Sequence, residues 1–543
     1  MASSHTALPP SPPFQPELVA DLRSDLAGAG YDVANLGQII GQVAIAALDR
    51  EEPLPARDAA AASTEPAALL MRLFALGQEV SRAEVDRALP TVGADGVTHL
   101  GLVRAAGAGP ADAMRALVDL RPVSAGPASL WLASDLGEGI TGRPLDPGHV
   151  LGVGGAGRTL AEITVDTPAR RALDLGTGCG IQALNVAGSS DEVVATDLSR
   201  RALAFAGFNA TLNGVDLDLR AGDLLEPVAG EAFDLIVSNP PFVITPRTGD
   251  PAMTYRDGGR TGDDLIADLF DALPQYLAPG GVAQFLGNWE IPAGARWSER
   301  VEAWAARCGV DVWVIQREVT DPAQYAETWL RDGGLTPERD REAWERGYRD
   351  YLRDFAARDT DGIGFGYVML RRPAAPRAPW RRFEDLRHPL PGAAGRAIAA
   401  TLTAADRLHA SDQPQSSDQT QSCGQPQASK PQSSKPQSSD PTREAMLQGR
   451  YVVGTDVTEQ RHYRPGQAHP QVIQLHQGGG LARTMTVPSH AAALVGACDG
   501  ELTAVQILNA LAVLTDEPVG DITAQVLPVL QDLYLDGFLH PAE

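Results

Sequence analysis

The chain has 543 residues, a length that predicts three or four folding units at roughly one per 150 residues. Hydrophobic residues make up 43% and charged residues 21%, an ordinary balance for packed globular cores. The 45 basic and 69 acidic residues leave a net charge of −24, which argues against a nucleic-acid coat protein or a binder of anionic membranes, while leaving room for a local basic groove.

Met1 to Phe14 lacks the basic start and apolar stretch of a signal peptide. From Glu17 to about Leu120 apolar helical stretches alternate with polar breaks. Ala67–Leu76 and Arg82–Leu89 have helical spacing, and a Gly-rich segment ends in Leu100–Val103, so two short helices and a β-wing are expected. Met114–Ser134 reads as strand-rich. From about Thr164 to Arg372 the rhythm becomes strand, turn, helix. Strands are expected at Arg171–Leu175, Glu192–Asp197, Asp216–Ala221, Phe233–Ser238, Gly281–Leu286, Val310–Glu318 and Ile363–Leu370. Helices at Ile181–Ala187, Arg201–Asn213, Asp264–Leu277 and Arg296–Cys308 fill the gaps, which predicts a doubly wound, mostly parallel α/β sheet. An insertion between Val319 and Gly362 carries two further helical stretches, whose Tyr325, Trp329, Trp344, Tyr348 and Tyr351 read first as packing and second as a lid or acceptor platform. In Ala410–Arg443, Ser, Gln and Pro supply 22 of 34 residues, which predicts a disordered linker. The tail, Tyr451–Glu543, is expected to open with a hairpin around Gly478–Gly480, followed by three helices, the second capped by Thr503. The expected units are a helical, winged-helix-like region with a strand-rich part at 15–150, the α/β domain at 151–372, a linker at 373–443, and a small α+β, winged-helix-like module at 444–543.

The chemistry concentrates in the α/β domain. Asp174-Leu-Gly176-Thr-Gly178-Cys-Gly180 follows its first strand, where alternate glycines let backbone approach a bulky ligand. Asp197 ends the next strand, placed to accept hydrogen bonds from two ribose hydroxyls. Gly222-Asp223 ends the third, in reach of an adenine amino group. A dinucleotide enzyme would show these features too. The fourth strand distinguishes them, running Phe233-Asp-Leu-Ile-Val-Ser-Asn239-Pro240-Pro241-Phe242.

In order and spacing, DLGTGCG, TDLS, AGD and FDLIVSNPPF resemble the class I S-adenosylmethionine-dependent methyltransferases. The resemblance is nearest to the "methyltransferase small" group, which includes HemK-like protein glutamine N5-methyltransferases and several nucleic-acid amino methyltransferases, and it covers about Leu151–Arg372. It implies a seven-stranded Rossmann-like sheet whose last strand is antiparallel. It also implies S-adenosyl-L-methionine as cofactor, with Asp174, Gly176, Gly178 and Gly180 around its methionine and ribose, Asp197 on the ribose, Leu198 against the adenine and Asp223 on its amino group. Asn239 and the Pro240 carbonyl would each accept one N–H of a planar acceptor nitrogen, and Phe242 would stack on that acceptor.

Other features weigh less. Gly152-Val-Gly-Gly-Ala-Gly157 matches GxGxxG, but no helix of useful length is expected after it, so a loop closing over the cofactor, with Arg158 and Thr159 nearby, is the better expectation. Tyr255-Arg256-Asp257-Gly258-Gly259 resembles a HemK-like stretch bordering the acceptor, and reads equally as a glycine turn. Four scattered cysteines, Cys179, Cys308, Cys423 and Cys498, predict neither a disulfide framework nor a metal site, and Cys179 reads as a small filler. Arg371–Arg396 holds seven Arg against Glu384 and Asp385, either solvated charge or a phosphate-contacting strip.

The expected function is N-methylation of a planar nitrogen, first a protein glutamine amide in an accessible loop. The α/β domain itself, with 20 Arg against 34 acidic residues over Leu151–Leu370, supports a protein acceptor. The alternatives are a base amine of RNA or DNA (adenine N6 or guanine N2), which would add nucleic-acid binding, and a non-enzymatic cofactor-binding scaffold. A soluble cytoplasmic protein with no membrane partner is expected. The family's simple members lack both the long insertion and the C-terminal module, so the acceptor is not carried over with the fold.

Overall fold

Strands buried on both faces read as continuous apolar runs, and the runs of the α/β region form one central sheet. The computed structural model describes residues 11–12, 15–125, 128–143, 145–247, 258–392, 394–409 and 441–542. The sheet comprises β1 (Ala169–Leu175), β2 (Ser190–Asp197), β3 (Asp218–Ala221), β4 (Phe233–Ser238), β5 (Leu277–Pro292), β6 (Asp311–Thr320), β7 (Thr360–Arg371) and β8 (Arg381–Asp385). Their order is β8-β6-β7-β5-β4-β1-β2-β3, with β7 antiparallel to both neighbours and every other pair parallel. The seven strands expected are joined by an eighth. Arg381–Asp385, read from sequence as linker, lies parallel to β6, with its charges compensated locally: Arg382 pairs with Glu384 and Arg387 with Asp385.

The register positions the site. Leu175 is level with Thr196 of β2 and with Ser238 of β4. The residues that follow, Gly176, Asp197 and Asn239, therefore leave the sheet side by side at the carboxyl ends of three adjacent strands, where open α/β sheets bind ligands.

Seven helices accompany the sheet: α1 (Gly155–Ile163), α2 (Ile181–Ala187), α3 (Arg200–Asn213), α4 (Asp264–Ala272), α5 (Glu299–Cys308), α6 (Pro322–Asp332) and α7 (Arg341–Ala357). The first corrects the expectation of no helix after the GxGxxG match. Gly154 stands outside it in an extended conformation, and Leu160 and Ile163 bury its apolar side. Ser199 caps α3 by accepting from the Ala202 N–H, and Gly214 ends it at φ +70°.

The chain divides into two compact units. The first holds residues up to 164, 168–372 and 381–388; the second holds 165–167, 373–380 and 389–543. Within the first, nothing separates residues 15–150 from the α/β part. One buried cluster runs from Val19, Leu22 and Phe74 through Leu120 and Leu132 to Cys179, Phe205 and Leu212. The hairpin Val118–Ala125/Ala128–Asp135 is bound directly to α3. Asn209 Oδ1 accepts from the Ala133 N–H (2.7 Å), and its Nδ2 donates to the carbonyls of Ala133 (2.9 Å) and Cys179 (2.8 Å). Asn213 brackets Trp131 in the same way. Upstream, helix Pro66–Leu70, strand Val80–Ser81, helices Arg82–Ala88 and Gly93–His99, and strands Val103–Ala105 and Ala113–Ala116 follow the element order of a winged helix, with the last strand central in the sheet.

In the second unit a 15-residue helix, Gly395–His409, stands where linker was expected, and it buries Ala404 and Leu408 with Tyr451, Leu494, Leu530 and Phe538. The expected hairpin is present as Val472–Gln477 and Thr484–Thr486, extended by a polar strand, Val457–His462. A second sheet joins Asp499–Thr503, Arg450–Val453 and Leu539–Pro541. Thr503 and Gln506 form a reciprocal cap on helix Ala504–Thr515. The Ser/Gln/Pro-rich core of the expected linker, 410–440, lies outside the described residues, as do Cys423, Tyr255, Arg256 and Asp257. Among the described residues no helix is long and apolar enough to cross a membrane.

Candidate active site

A cavity of about 730 Å³ opens at the carboxyl ends of β1, β2 and β4, within the ~300–1,000 Å³ usual for small-molecule sites. Gly176 (φ +75°) and Gly178 (φ +56°) line it, and a Cβ on either would project into space free of protein atoms. Gly180 does not line it. It turns the chain into α2 at φ +92°, and a Cβ there would stand 3.2 Å from Ala206 of α3, so its role is close packing of loop on helix.

Asp174 also stays out of the cavity wall. Its Oδ2 accepts from the Thr177 hydroxyl (2.6 Å) and the Ala183 N–H (2.9 Å), holding the glycine loop against α2 from beneath. Burial lifts its carboxyl to about 7, outweighing those two hydrogen bonds. The expectation that it lines the cofactor pocket is thus corrected: it positions the loop. Cys179, buried in the same loop, has its thiol pushed up to about 12 by burial and serves as filler.

The remaining wall residues come from the strand ends. Asp197 accepts from the Gly178 N–H (2.9 Å) and the Ser199 N–H (2.8 Å). Each of its oxygens keeps a lone pair for a ligand hydroxyl, and burial raises its carboxyl. Leu198 is 68% exposed, an apolar surface presented to the cavity, with Asp223 and Leu224 beyond it. Asn239 also lines the cavity, and its Oδ1 is buried with no hydrogen-bond partner among the described residues.

Pro240 and Phe242 are placed differently. Pro241, not Pro240, lines the cavity, and the Pro240 carbonyl already accepts the Phe242 N–H at 2.7 Å, leaving one lone pair. The Phe242 ring leans on Phe365 of β7, with centroids 5.5 Å apart. Gly258 and Gly259, the described end of the downstream stretch, do reach the wall, and the Gly258 N–H donates to the Pro241 carbonyl.

The expected loop Gly152–Gly157 does reach the cavity, through Gly152, Gly154, Ala156 and Gly157. Two contributors escaped the sequence reading. The first is the stretch just before that loop, residues 148–151, tied at Val150 by the Asp135 carboxylate (2.8 Å), which also pairs with Arg201. The imidazole of His149 in this stretch is lowered below its ordinary value, chiefly by burial. Gln182 of α2 is the second, a polar residue amid Ile181, Ala183 and Leu184, and that interruption of an apolar helix face was the available signal.

The insertion is a helical hairpin set behind this loop. Its five singled-out aromatics pack with Val243, Ile244, Phe355 and Ile363, and the Tyr325 hydroxyl accepts from the Ile244 N–H (3.0 Å) and Asn288 Nδ2 (2.7 Å). The Arg371–Arg396 strip divides between the units: Arg377 and Arg396 belong to the second, the other five to the first. Arg377, Arg382 and Arg387 are engaged with Asp406, Glu384 and Asp385.

The glycine loop, the Asp197 carboxylate, Asn239 and Pro241 thus meet at one cavity, and residues 153–303 match the model of the methyltransferase small domain. The α/β part of this chain is similar to that domain over its first five strands, β1 to β5. Residues 28–116 match a domain of unknown function, DUF7059. The methyltransferase domain is 39% identical over 140 residues to the release factor glutamine methyltransferase of Xylella fastidiosa, covering 23% of this chain and 50% of that protein. It is 33% identical over 126 residues to a putative protein N5-glutamine methyltransferase of Methanocaldococcus jannaschii (22% and 64%). A ribosomal protein uL3 glutamine methyltransferase of Bradyrhizobium diazoefficiens is 34% identical over 140 residues (24% and 44%). The chain therefore spans about half the length of the curated relatives it matches.

Proposed function

We propose that the chain is an S-adenosylmethionine-dependent N-methyltransferase whose acceptor is a glutamine side-chain amide in a protein. The observation that carries this reading is Asn239 Oδ1, a buried atom of a cavity-lining residue with no hydrogen-bond partner among the described residues. A buried acceptor without a partner is costly unless a ligand supplies the donor.

The residues present fit the cofactor. Gly176 and Gly178 leave room for it, Asp197 offers two oxygens to its ribose, Leu198 offers a face to its adenine, and Asp223 lies within the same wall. When bound, the cofactor supplies a sulfonium methyl open to in-line attack. In this reading Asn239 Oδ1 accepts one N–H of the planar acceptor nitrogen, and the remaining lone pair of the Pro240 carbonyl accepts the other. Because the turn after β4 fixes both acceptors before the substrate arrives, charge building on the nitrogen meets dipoles that need no reorganisation. Phe242 supports the turn through Phe365 and is assigned no contact with substrate.

Charge favours a protein over a nucleic-acid acceptor. Residues 444–543 hold four Arg against eleven Asp and Glu, so the C-terminal module adds to the acidic balance of the methyltransferase domain. The names of the relatives point to glutamine in release factors and a ribosomal protein, and support the same acceptor class. Tritiated-methyl transfer to cell lysate, with protease and nuclease treatments in parallel, tests the assignment. Label removed by protease and retained after nuclease is expected; the reverse pattern assigns a base amine instead.

A further inference from the structure

Resting on the cofactor reading above, we propose that Gln182 recognises the cofactor's α-ammonium group and couples it to the wall segment 148–157. Gln182 is 2% exposed yet lines the cavity, at the start of α2 directly after the glycine loop. Its Nε2 donates to the Gly157 carbonyl at 2.7 Å, inside the wall segment, and this bond fixes which end of the amide carries the oxygen. Oε1 is then left buried with no partner among the described residues. A buried acceptor in a cavity wall is satisfied only by a donor on what fills the cavity.

The cofactor carries three kinds of donor: two ribose hydroxyls, an adenine amino group and the α-ammonium. Asp197 and Asp223, on the ends of β2 and β3, serve the first two in the reading above. Gln182 stands on the β1–α2 side, sharing its wall with Gly154, Ala156 and Gly157, and it meets the donor that remains. One amide then bridges cofactor and protein: its oxygen takes the ammonium, its nitrogen holds Gly157. The wall segment is thereby tied at Val150 by Asp135 and at Gly157 by a side chain that the ligand itself orients.

The test titrates the full chain calorimetrically with S-adenosylhomocysteine and with 5′-methylthioadenosine, which keeps the adenosine and thioether and lacks the amino-acid group. Gln182→Met preserves volume and removes both hydrogen-bonding ends. The expected result is a loss of about tenfold or more in affinity for S-adenosylhomocysteine, the scale of a hydrogen bond to a charged group, with 5′-methylthioadenosine changed less than about threefold. Amide exchange in 148–157 of the unaltered chain should slow more with S-adenosylhomocysteine than with 5′-methylthioadenosine. Equal losses for both ligands, or none, overturn the role given to Gln182 while leaving the cofactor reading intact. Failure of the unaltered chain to bind either ligand overturns the cofactor reading, and this inference with it.

Discussion

Asp174 and Asn239 each hold a buried oxygen without a hydrogen-bond partner among the described residues, and they differ in that only Asn239 lines the cavity. The Asp174 carboxyl is lifted to about 7 in the folded chain from an ordinary carboxylate value near 4, by burial. Its unfolded form therefore gives up its proton first as pH rises, so its stabilising contribution is complete below about pH 4 and is lost progressively towards pH 7. Asp174→Asn should flatten that dependence. Scanning calorimetry between pH 5 and 8 checks it, and an equal decline in melting temperature for both chains would refute the assignment. At Asn239, Ala should lower methyl transfer by about a hundredfold or more while leaving cofactor affinity within about twofold, because the lost contact belongs to the acceptor. Asp197→Ala should do the opposite, weakening cofactor binding by about tenfold or more in a calorimetric titration. The residue types of the site were legible because each stands at a strand end inside a short signature. The split between wall and support was not. Asp174, Gly180 and Phe242 carry the same motif letters as their neighbours, and only the packing of Ala206 and Phe365 against Gly180 and Phe242 shows which side each faces.

Among the elements, six of the seven expected strands were readable from sequence because apolar residues fill both faces, whereas the edge strand β3 buries no residue, and the helices between the strands followed. Other elements hid for physical reasons, three of them plain in the residues. Helix α1 begins in glycines that weaken any helical pattern, and Val457–His462 is polar because it lies exposed at a sheet edge. In β8, Arg-Arg-Phe-Glu-Asp looks like solvated linker until Trp313 is seen donating to Glu384 and stacking under Arg382. The α6–α7 hairpin gives this scale its own experiment. Tyr325→Phe keeps the ring against Phe355 and removes the acceptor shared by the Ile244 N–H and Asn288. Two buried donors left unpaired cost about 1–3 kcal/mol each. Denaturant unfolding should show a loss of that order, accompanied by slower methyl transfer at unchanged cofactor affinity. Unchanged turnover would leave the hairpin as packing alone.

For the whole molecule, the division after His388 sets where the chain can be cut. A chain ending there keeps β8 and should remain monodisperse and bind cofactor. One ending at Arg372 strips β8 from β6, exposing the edge of a strand whose residues 311–316 are buried, and should aggregate in size-exclusion chromatography. Sequence separated the methyltransferase domain from its flanks by composition and motif, yet the N-terminal flank shares that domain's core, because burial follows contact and not motif boundaries. The Asn209 amide shows what this sharing entails. It is the clamp through which the Ala133 N–H, on a hairpin 76 residues upstream, is satisfied only while Cys179 of the glycine loop is in place. No local fraying frees that proton, so Ala133, though outside the central sheet, should exchange with deuterium only through global opening. The cofactor loop and the N-terminal region would then melt as a single cooperative event, and a bound ligand's stabilisation would be felt at a site that never touches it.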